Sequence, residues 1–443
     1  MADTQKMLEV ARQAVQSALK KGAKEAAANA YRSREVSVEW RDGRVDRLHE
    51  ATSAGLSMQL YVDGRYASCS TSDLRPDAVE AFLDNAVSLA RALAPDPARA
   101  LPDPKLYEGQ EKLDLMLEDP GYDAVTAVER RRIAEAMEAA ARAEKGSEAF
   151  ISVTTGFSDD QSESFKVHSN GFEGTRRDTA FWLSAEVSVK DPDGRKPEDW
   201  DYAGARFFKE LPDPAGVGKG AARRALQRIG AKKGESGLMT VAIDPRAAGR
   251  IVPQVLGPLS ASSLQQKRSM FEGKLGAQIG SALLDVTDDP HVVKGFSSQL
   301  FDSEGMAAKK RPVFEAGVLK TYFVDNYYGR KLKLAPTTAR TSNLAWKLGT
   351  KSQEELLADL KEGVLVTSFL GGNSNATTGD FSLGISGFRV RGGKLAEPIS
   401  EMNLSGNHLD FWKSLVAVGN DPYPYSSLRT PTLVFEKAQV AGT

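Results

Sequence analysis

Cysteine and histidine are scarce in this sequence: 443 residues hold one cysteine, Cys69, and four histidines, His49, His168, His291 and His408. A lone cysteine excludes an intrachain disulfide and a cysteine-rich zinc site. No two histidines stand close enough to form a helical pair such as H-x-x-x-H, so a metal site would have to be assembled from distant positions. Net charge is nearly absent too. The 58 Lys and Arg against 59 Asp and Glu leave −1, which argues against a nucleic-acid binder that works by overall charge. There is no run of about 18 apolar residues and no apolar core in the first 22 residues, so neither a membrane span nor a signal peptide is expected, and the expected compartment is the cytoplasm. The glycines of "FEGKLGAQIG" and "VGKGAARR" lack the spacing and the Gly-Lys-Ser/Thr ending of a phosphate loop, and no G-x-S-x-G elbow stands in a strand-to-helix context.

What is present is a 41% hydrophobic chain long enough for two or three domains. Met7, Leu8, Val10, Ala11, Ala14 and Leu19 mark an amphipathic first helix. Period-two runs follow, through Val36, Val38 and Trp40, and turn at Asp42-Gly43 and Asp63-Gly64. Asp-Gly between alternating runs predicts tight hairpins, because such turns need positive φ at low steric cost. A helix is expected over 75–94, a loop over 95–122 and a long helix after Asp123. Strands over about 149–190 and a helix ending near Lys233 follow. The order suggests an α+β layout used twice. The expected division is an N-terminal α+β domain over 1–235, in two related halves of about 1–120 and 121–235, and a β-rich, barrel-like domain over 236–443 with few helices.

Several stretches invite a chemical reading. Cys69 ends a strand and reads foremost as a small buried apolar group. The stretch "GGNSNATTGDFSLG" at 371–384 is the densest polar, glycine-rich segment. It reads either as a long ordered loop or as a surface for extended backbone, with Gly372, Asn373, Asn375, Thr378 and Asp380 as groove candidates. In "NDPYPYSS", Tyr423 and Tyr425 look exposed in a rigid turn and are candidates for interface anchors, with local packing as the alternative. Leu409, Phe411, Trp412, Leu415 and Val416 read as core. The segment "GRIVPQVLGPLSASS" at 249–263 has helical apolar spacing, yet Pro253 and Pro258 interrupt it at a cost of roughly 3 kcal/mol for an interior proline.

The segments "FEGKLG", "GGNSNATTGDFSLGISGF" and "EPISEMNLSGNHLDFWKSLVAVGNDPYPYSSLRTPTLVF", with "VEWRDGRVDRL" and "GLSMQLYVDGRYASCST" near the start, resemble the TldD/PmbA family over the whole chain, and its PmbA (TldE) branch most. The resemblance implies a cytoplasmic metallopeptidase assembly in which a TldD-type subunit carries a His-Glu-x-x-x-His helix and a C-terminal cysteine that hold zinc. It implies extended peptide or unfolded protein as substrate, with bacteriocin-precursor processing and antitoxin turnover as associated activities. An older family name refers to DNA gyrase, and the near-zero net charge lends no support to direct DNA binding. Aligned from "FEGKLG", Pro253 stands for the first histidine, Gln254 for the glutamate and Pro258 for the second histidine, and no cysteine follows Asn420. Proline offers no lone pair to a metal, and glutamine cannot take a proton from zinc-bound water. The two prolines are also expected to kink or end the helix. The resemblance therefore implies a chain without metal or catalytic residues of its own, with zinc in a TldD-type partner. A homodimeric peptide-binding protein without catalysis is the alternative. A peptidase with a different site, around Cys69 or the scattered histidines, is a weaker one.

Overall fold

The computed structural model describes residues 2–442. The first half is a single six-stranded antiparallel sheet with helices on one face. Helix α1 (Ala2–Lys20) leads into β1 (Glu25–Arg41), β2 (Arg44–Val62), β3 (Arg65–Thr71) and α2 (Pro76–Ala92). Helix α3 (Ala127–Arg142) then leads into β4 (Phe150–His168), β5 (Glu173–Val189), β6 (Glu198–Ala205) and α4 (Pro214–Gln227). The two runs repeat the same order of elements. They share one sheet, β3-β2-β1-β4-β5-β6, through antiparallel pairing of β1 with β4. The hairpin turns fall at the Asp-Gly pairs: Asp42 and Gly43 have φ of 47° and 82°, and Asp63 and Gly64 have 50° and 74°. Positive φ at both central residues is the turn whose twist matches the flanking strands.

Small side chains bring helix and sheet together. Ala11, Ala14 and Ala18 of α1 pack on Ala26, Ala28 and Ala30 of β1, with Leu56, Met58 and Leu60 of β2 beneath α2. In the second run Phe157, Phe181 and Leu183 meet Ile133 and Met137 of α3 and Val217 and Ala221 of α4. Here α3 and α4 touch backbone to side: a Cβ on Gly218 would lie 2.1 Å from the Met137 carbonyl oxygen. Backbone cannot swing aside as a flexible side chain can, so Gly218→Ala should force the helices apart. The expected loss is about 1–3 kcal/mol, read as an earlier urea midpoint with unchanged slope.

The second half begins with β7 (Gly237–Ile243), α5 (Ala248–Leu256) and α6 (Ala261–Gln265). A small sheet follows, from β8 (Val286–Asp289), β9 (Arg311–Glu315), β10 (Val318–Leu319) and β11 (Asn343–Trp346), with α7 (Asn326–Leu332) between β10 and β11 in the chain; α8 (Gln353–Leu360) packs Leu356 and Leu357 against Ala242, Leu365, Val390 and Val434. Then come β12 (Glu362–Ser374), β13 (Asp380–Arg391), β14 (Lys394–Asn407), α9 (His408–Phe411), β15 (Leu415–Val418) and β16 (Leu433–Gly442). Strands β14, β13, β12, β7 and β16 lie side by side, and β16 also pairs with β14, so five strands close into a barrel. Closure removes the free edges that an open sheet would expose. The barrel core takes Val241 and Ile243, Val364 and Val366, Leu383 and Ile385, and Leu433 and Phe435. Of the expected core around α9, Phe411, Trp412 and Leu415 are buried and Leu409 is half-buried, whereas Val416 is 43% exposed. Val416 lies on the outward side of β15, where alternate residues leave the core. No helix among the described residues is long and apolar enough to cross a membrane.

Candidate functional site

Helix α5 runs through Pro253, contrary to expectation, but ends at Leu256 just ahead of Pro258, as expected of the second proline. Proline removes only the donor that would reach the Gly249 carbonyl, and Gly249 is exposed. The next turn closes normally, since the Gly257 N–H donates to the Pro253 carbonyl. Ile251, Val252 and Val255 are buried in the barrel-side core. At about 1.5–3 kcal/mol each, their burial outweighs the proline penalty. Pro258 sits in the first turn of a 3-10 segment, Gly257–Leu259, where its missing N–H costs nothing.

Along this helix Pro253 is exposed, Pro258 is buried and Gln254 is half-buried. The Gln254 side chain reaches a residue that the sequence reading left aside. The Nε2 of His408 lies 3.2 Å from Gln254 Oε1 and 3.1 Å from Ser374 Oγ. His408 opens α9, where the Asn407 side chain accepts the Leu409 N–H, and its own backbone N–H donates to Gly379. Its ring stacks on Phe381 at 4.5 Å and is 1% exposed. Burial pushes its pKa down to about 4, so the ring is neutral near pH 7. With an amide oxygen as partner, Nε2 carries the proton, and the buried Nδ1 has no hydrogen-bond partner.

This donor set does not suit zinc. A structural or catalytic zinc takes three or four imidazole, thiolate or carboxylate ligands. Here one imidazole stands among a neutral amide and a hydroxyl, and its Nε2 is already engaged. Among the described residues no three His, Cys, Asp or Glu side chains are grouped to hold a metal. The other histidines lie elsewhere. His49 is exposed on β2, and the His168 Nδ1 is 3.0 Å from the Tyr107 hydroxyl oxygen at the sheet end. Cys69 is half-buried on β3 against the α1–α2 core.

The glycine-rich segment is the end of a hairpin rather than a long loop. Strand β12 continues to Ser374, and β13 begins at Asp380. A bulge between Leu370 and Asn373 breaks the pairing, with Gly371 and Gly372 at φ of 63° and 91°. A Cβ on Gly372 would lie 2.3 Å from the Ser382 carbonyl oxygen, so glycine is required there. The turn is held by its own polar groups. Asn375 Oδ1 accepts from the Thr377 N–H at 2.9 Å, Thr378 Oγ1 donates to Asp380 at 2.7 Å, and Asn407 Nδ2 donates to Asp380 at 2.9 Å. The Thr378 and Asn407 bonds hold the Asp380 carboxyl below its ordinary pKa. Gly372, Asn373, Asn375, Thr378 and Asp380 are exposed, and Ser374 ties this hairpin to His408 and Gln254. The structure thus gathers the hairpin and α5 through His408, a link that no local sequence signal carries.

Tyr423 and Tyr425 do not stand free. Tyr423 is half-buried, donates from its hydroxyl to the Tyr202 carbonyl at 3.1 Å and packs its ring 5.3 Å from that of Tyr202. Tyr425 packs against the α3–α4 core. Tyr423 thus joins the barrel half to β6, and Tyr425 joins it to the neighbouring core, within the chain.

Sequence models of three PmbA/TldA metallopeptidase domains match this chain: domain 1 over residues 26–90, the central domain over 120–229 and the C-terminal domain over 236–442. The metalloprotease PmbA of Escherichia coli O157:H7 is 29% identical over 418 residues, covering 92% of this chain and 90% of that protein. A PmbA homologue of Haemophilus influenzae is 27% identical over 412 residues, covering 92% of this chain and 90% of that protein. A Bacteroides thetaiotaomicron protein crystallised as a candidate modulator of DNA gyrase superposes with a TM-score of 0.95 at 39% identity, covering 98% of both chains. TldE of Thermococcus kodakarensis shares the fold, with a TM-score of 0.85 at 18% identity over 98% of this chain and 100% of that one. With three domain models in sequence and a 39% identical relative matched end to end, the chain belongs to the PmbA/TldD metallopeptidase family.

Proposed function

We propose that this chain is the zinc-free subunit of a cytoplasmic heteromeric peptidase, paired with a TldD-type subunit that holds the metal and performs the hydrolysis. The observation that carries this reading is the Gln254–His408 contact between α5 and α9. The amide of Gln254 has no basic lone pair to accept a proton from water at neutral pH, and the one nearby imidazole is buried and already bonded. Pro253 and Pro258 supply no ligand on either side. The part left to this chain is to shape the substrate chamber and limit entry to unfolded polypeptide. An extended peptide would pair its backbone with an exposed strand, so selection would depend on disorder more than on sequence. The exposed tip of the β12–β13 hairpin is the proposed wall of that groove.

The test is to purify the chain alone and with a TldD-type partner, then to measure zinc by mass spectrometry and cleavage of an unfolded peptide. The complex should hold stoichiometric zinc and cleave, and the lone chain should do neither. Zinc and cleavage by the lone chain would sink the proposal, and absence of a complex in light scattering would favour the homodimeric peptide binder. Within the complex, Asn373→Trp should reduce cleavage several-fold while leaving assembly intact. Unchanged cleavage would remove the hairpin from the groove.

A further inference from the structure

The two sides of the six-stranded sheet are guarded unequally. The outer side of β6 is stoppered from the other half of the chain: Arg246 donates to the Trp200 carbonyl and Tyr423 to the Tyr202 carbonyl. On the opposite side, the chain that follows β3 folds back on it. The Asp96 N–H meets the Gly64 carbonyl at 2.9 Å, and Arg99 lies over the Tyr66 ring at 4.3 Å. But β3 is short. It ends at Thr71, opposite Leu56, whereas β2 extends well past that point to Arg44. Over residues 47–55, β2 has β1 on one side and no strand on the other.

The free stretch presents its backbone in regular alternation. The two-residue turn at Asp63-Gly64 makes Val62 and Arg65 a hydrogen-bonded pair, so every second residue back from Val62 directs its N–H and C=O towards the β3 side. Leu60, Met58 and Leu56 use theirs on β3. Ala54, Thr52, Glu50 and Leu48 come next in the same alternation, since pairing with β1 is unbroken from Tyr61 back to Arg47. Their outward N–H and C=O groups have no partner among the described residues. The usual protections of an exposed edge are missing. Residues 47–55 contain no lysine and no proline. The bulge lies at their far end, where pairing steps from Glu39↔Arg47 to Trp40↔Val45, and Glu50 is tied back to Arg34 at 2.8 Å.

We propose that residues 47–55 of β2 take up a segment of extended, unfolded polypeptide as an added strand. In the proposed role of guiding unfolded polypeptide, on which the nature of this ligand rests, β2 is then the strand that meets the substrate. Two features favour a loose polypeptide over a folded subunit. The flanking side chains are small: Ala51, Ser53 and Gly55 share one face, and Thr52 and Ala54 the other. Neighbouring positions on the added strand therefore accept side chains of many sizes. The exposed apolar groups of this stretch and its hairpin end are Leu48 and Val45, at 65% and 44%. They make no apolar centre for a subunit interface, which buries roughly 800 Å² per partner. Leu48 gives the added strand one apolar foothold, and backbone hydrogen bonds supply the rest.

Fluorescence anisotropy on the full chain, without a partner subunit, tests this. The probe is a labelled, unstructured peptide of about twelve Ser, Thr, Ala and Val residues, longer than the free stretch. The control is the same peptide N-methylated at every residue. The peptide should bind saturably, and the control, which has no N–H to donate, about tenfold or more weakly. Thr52→Pro should weaken the peptide by about tenfold or more and leave the fold intact, because the N–H it removes faces solvent rather than β1. Thr52→Lys places on the edge a side chain that opposes pairing and gives a second reading if the proline variant does not fold. No saturable binding, equal binding of peptide and control, or unchanged affinity in the lysine variant would overturn the assignment. So would a wild-type dimer in light scattering that Thr52→Lys makes monomeric, since a second copy would then hold the edge. None of these readings involves zinc or cleavage, so the zinc-free subunit role stands or falls separately, by assembly with a TldD-type chain.

Discussion

Asp159→Asn should destabilise the chain by about 3–5 kcal/mol, the usual consequence of leaving a buried charge without its partner. Asp159 on β4 and Arg130 on α3 are 0% and 3% exposed at their side chains. The guanidinium donates to the carboxylate through two bonds of 2.6 and 3.0 Å, and a third bond of 2.6 Å goes to the Val125 carbonyl. Asparagine keeps the shape but removes the charge, so the guanidinium stays buried with a neutral acceptor. Converting both residues to apolar ones, Arg130→Met with Asp159→Leu, should cost less than the single change, because neither charge then needs compensation. Urea unfolding of the three variants reads both expectations. A loss below about 1 kcal/mol for the single variant would mean that water reaches the pair.

The second large effect concerns pH. Burial pushes the pKa of His408 down to about 4 from 6.5. The folded state therefore favours the neutral ring. The resulting stabilisation is fully present above pH 6.5 and is lost progressively as pH falls towards 4, for a total on the order of 3 kcal/mol. His168, pushed down to about 3 by burial and then by Lys166, acts in the same direction from pH 6.5 downward and over a wider range, to about 3. Two carboxyls oppose them. Burial pushes Glu304 up to about 7 and Asp160 up to about 6, so their contribution is greatest in acid and is lost as pH rises through those values. The net profile of the whole chain mixes these trends, and the difference between wild type and His408→Gln isolates one of them. The variant should be less stable at pH 7 through lost packing on Phe381. Its deficit should shrink by about 3 kcal/mol between pH 7 and pH 4, since it has no ring to protonate. Thermal melts across that range test this, and parallel profiles would show that the His408 site is wetter than its burial implies.

The comparison of sequence with structure is uneven for physical reasons. The Asp42-Gly43 and Asp63-Gly64 turns were legible because only a few residues tolerate positive φ twice in succession. Helices α1 to α4 were legible from apolar spacing, and so was the repeated order of elements. That both runs share one sheet was not, because the β1–β4 contact, Val36 opposite Asp159 for example, leaves no local trace. Helix α5 misled because a proline penalty is local, whereas the burial of Ile251, Val252 and Val255 that offsets it is set by the barrel. The glycine-rich stretch admitted a loop reading beside that of a surface for extended backbone, because a bulge with two left-handed glycines looks like a loop from composition. At the site, Pro253, Gln254 and Pro258 are plain from the sequence residue by residue. The place of His408 is not, since only closure of the fold carries it to Gln254. Tyr423 and Tyr425 were offered as interface anchors or as local packing, and the contacts they make are with the other half of the same chain.

The circular order of the five barrel strands sets a timetable for synthesis. Ile243 finds its antiparallel neighbour at Leu433, and Met402 finds one at Gly442. Until the ribosome has released that last stretch, β7 and β14 each show an unsatisfied backbone rim to the cell. The six-stranded sheet, whose strands are all complete by Ala205, can mature while translation is still under way. The late-closing half is then the portion most exposed to off-pathway strand pairing, and the one for which nascent-chain chaperones would matter.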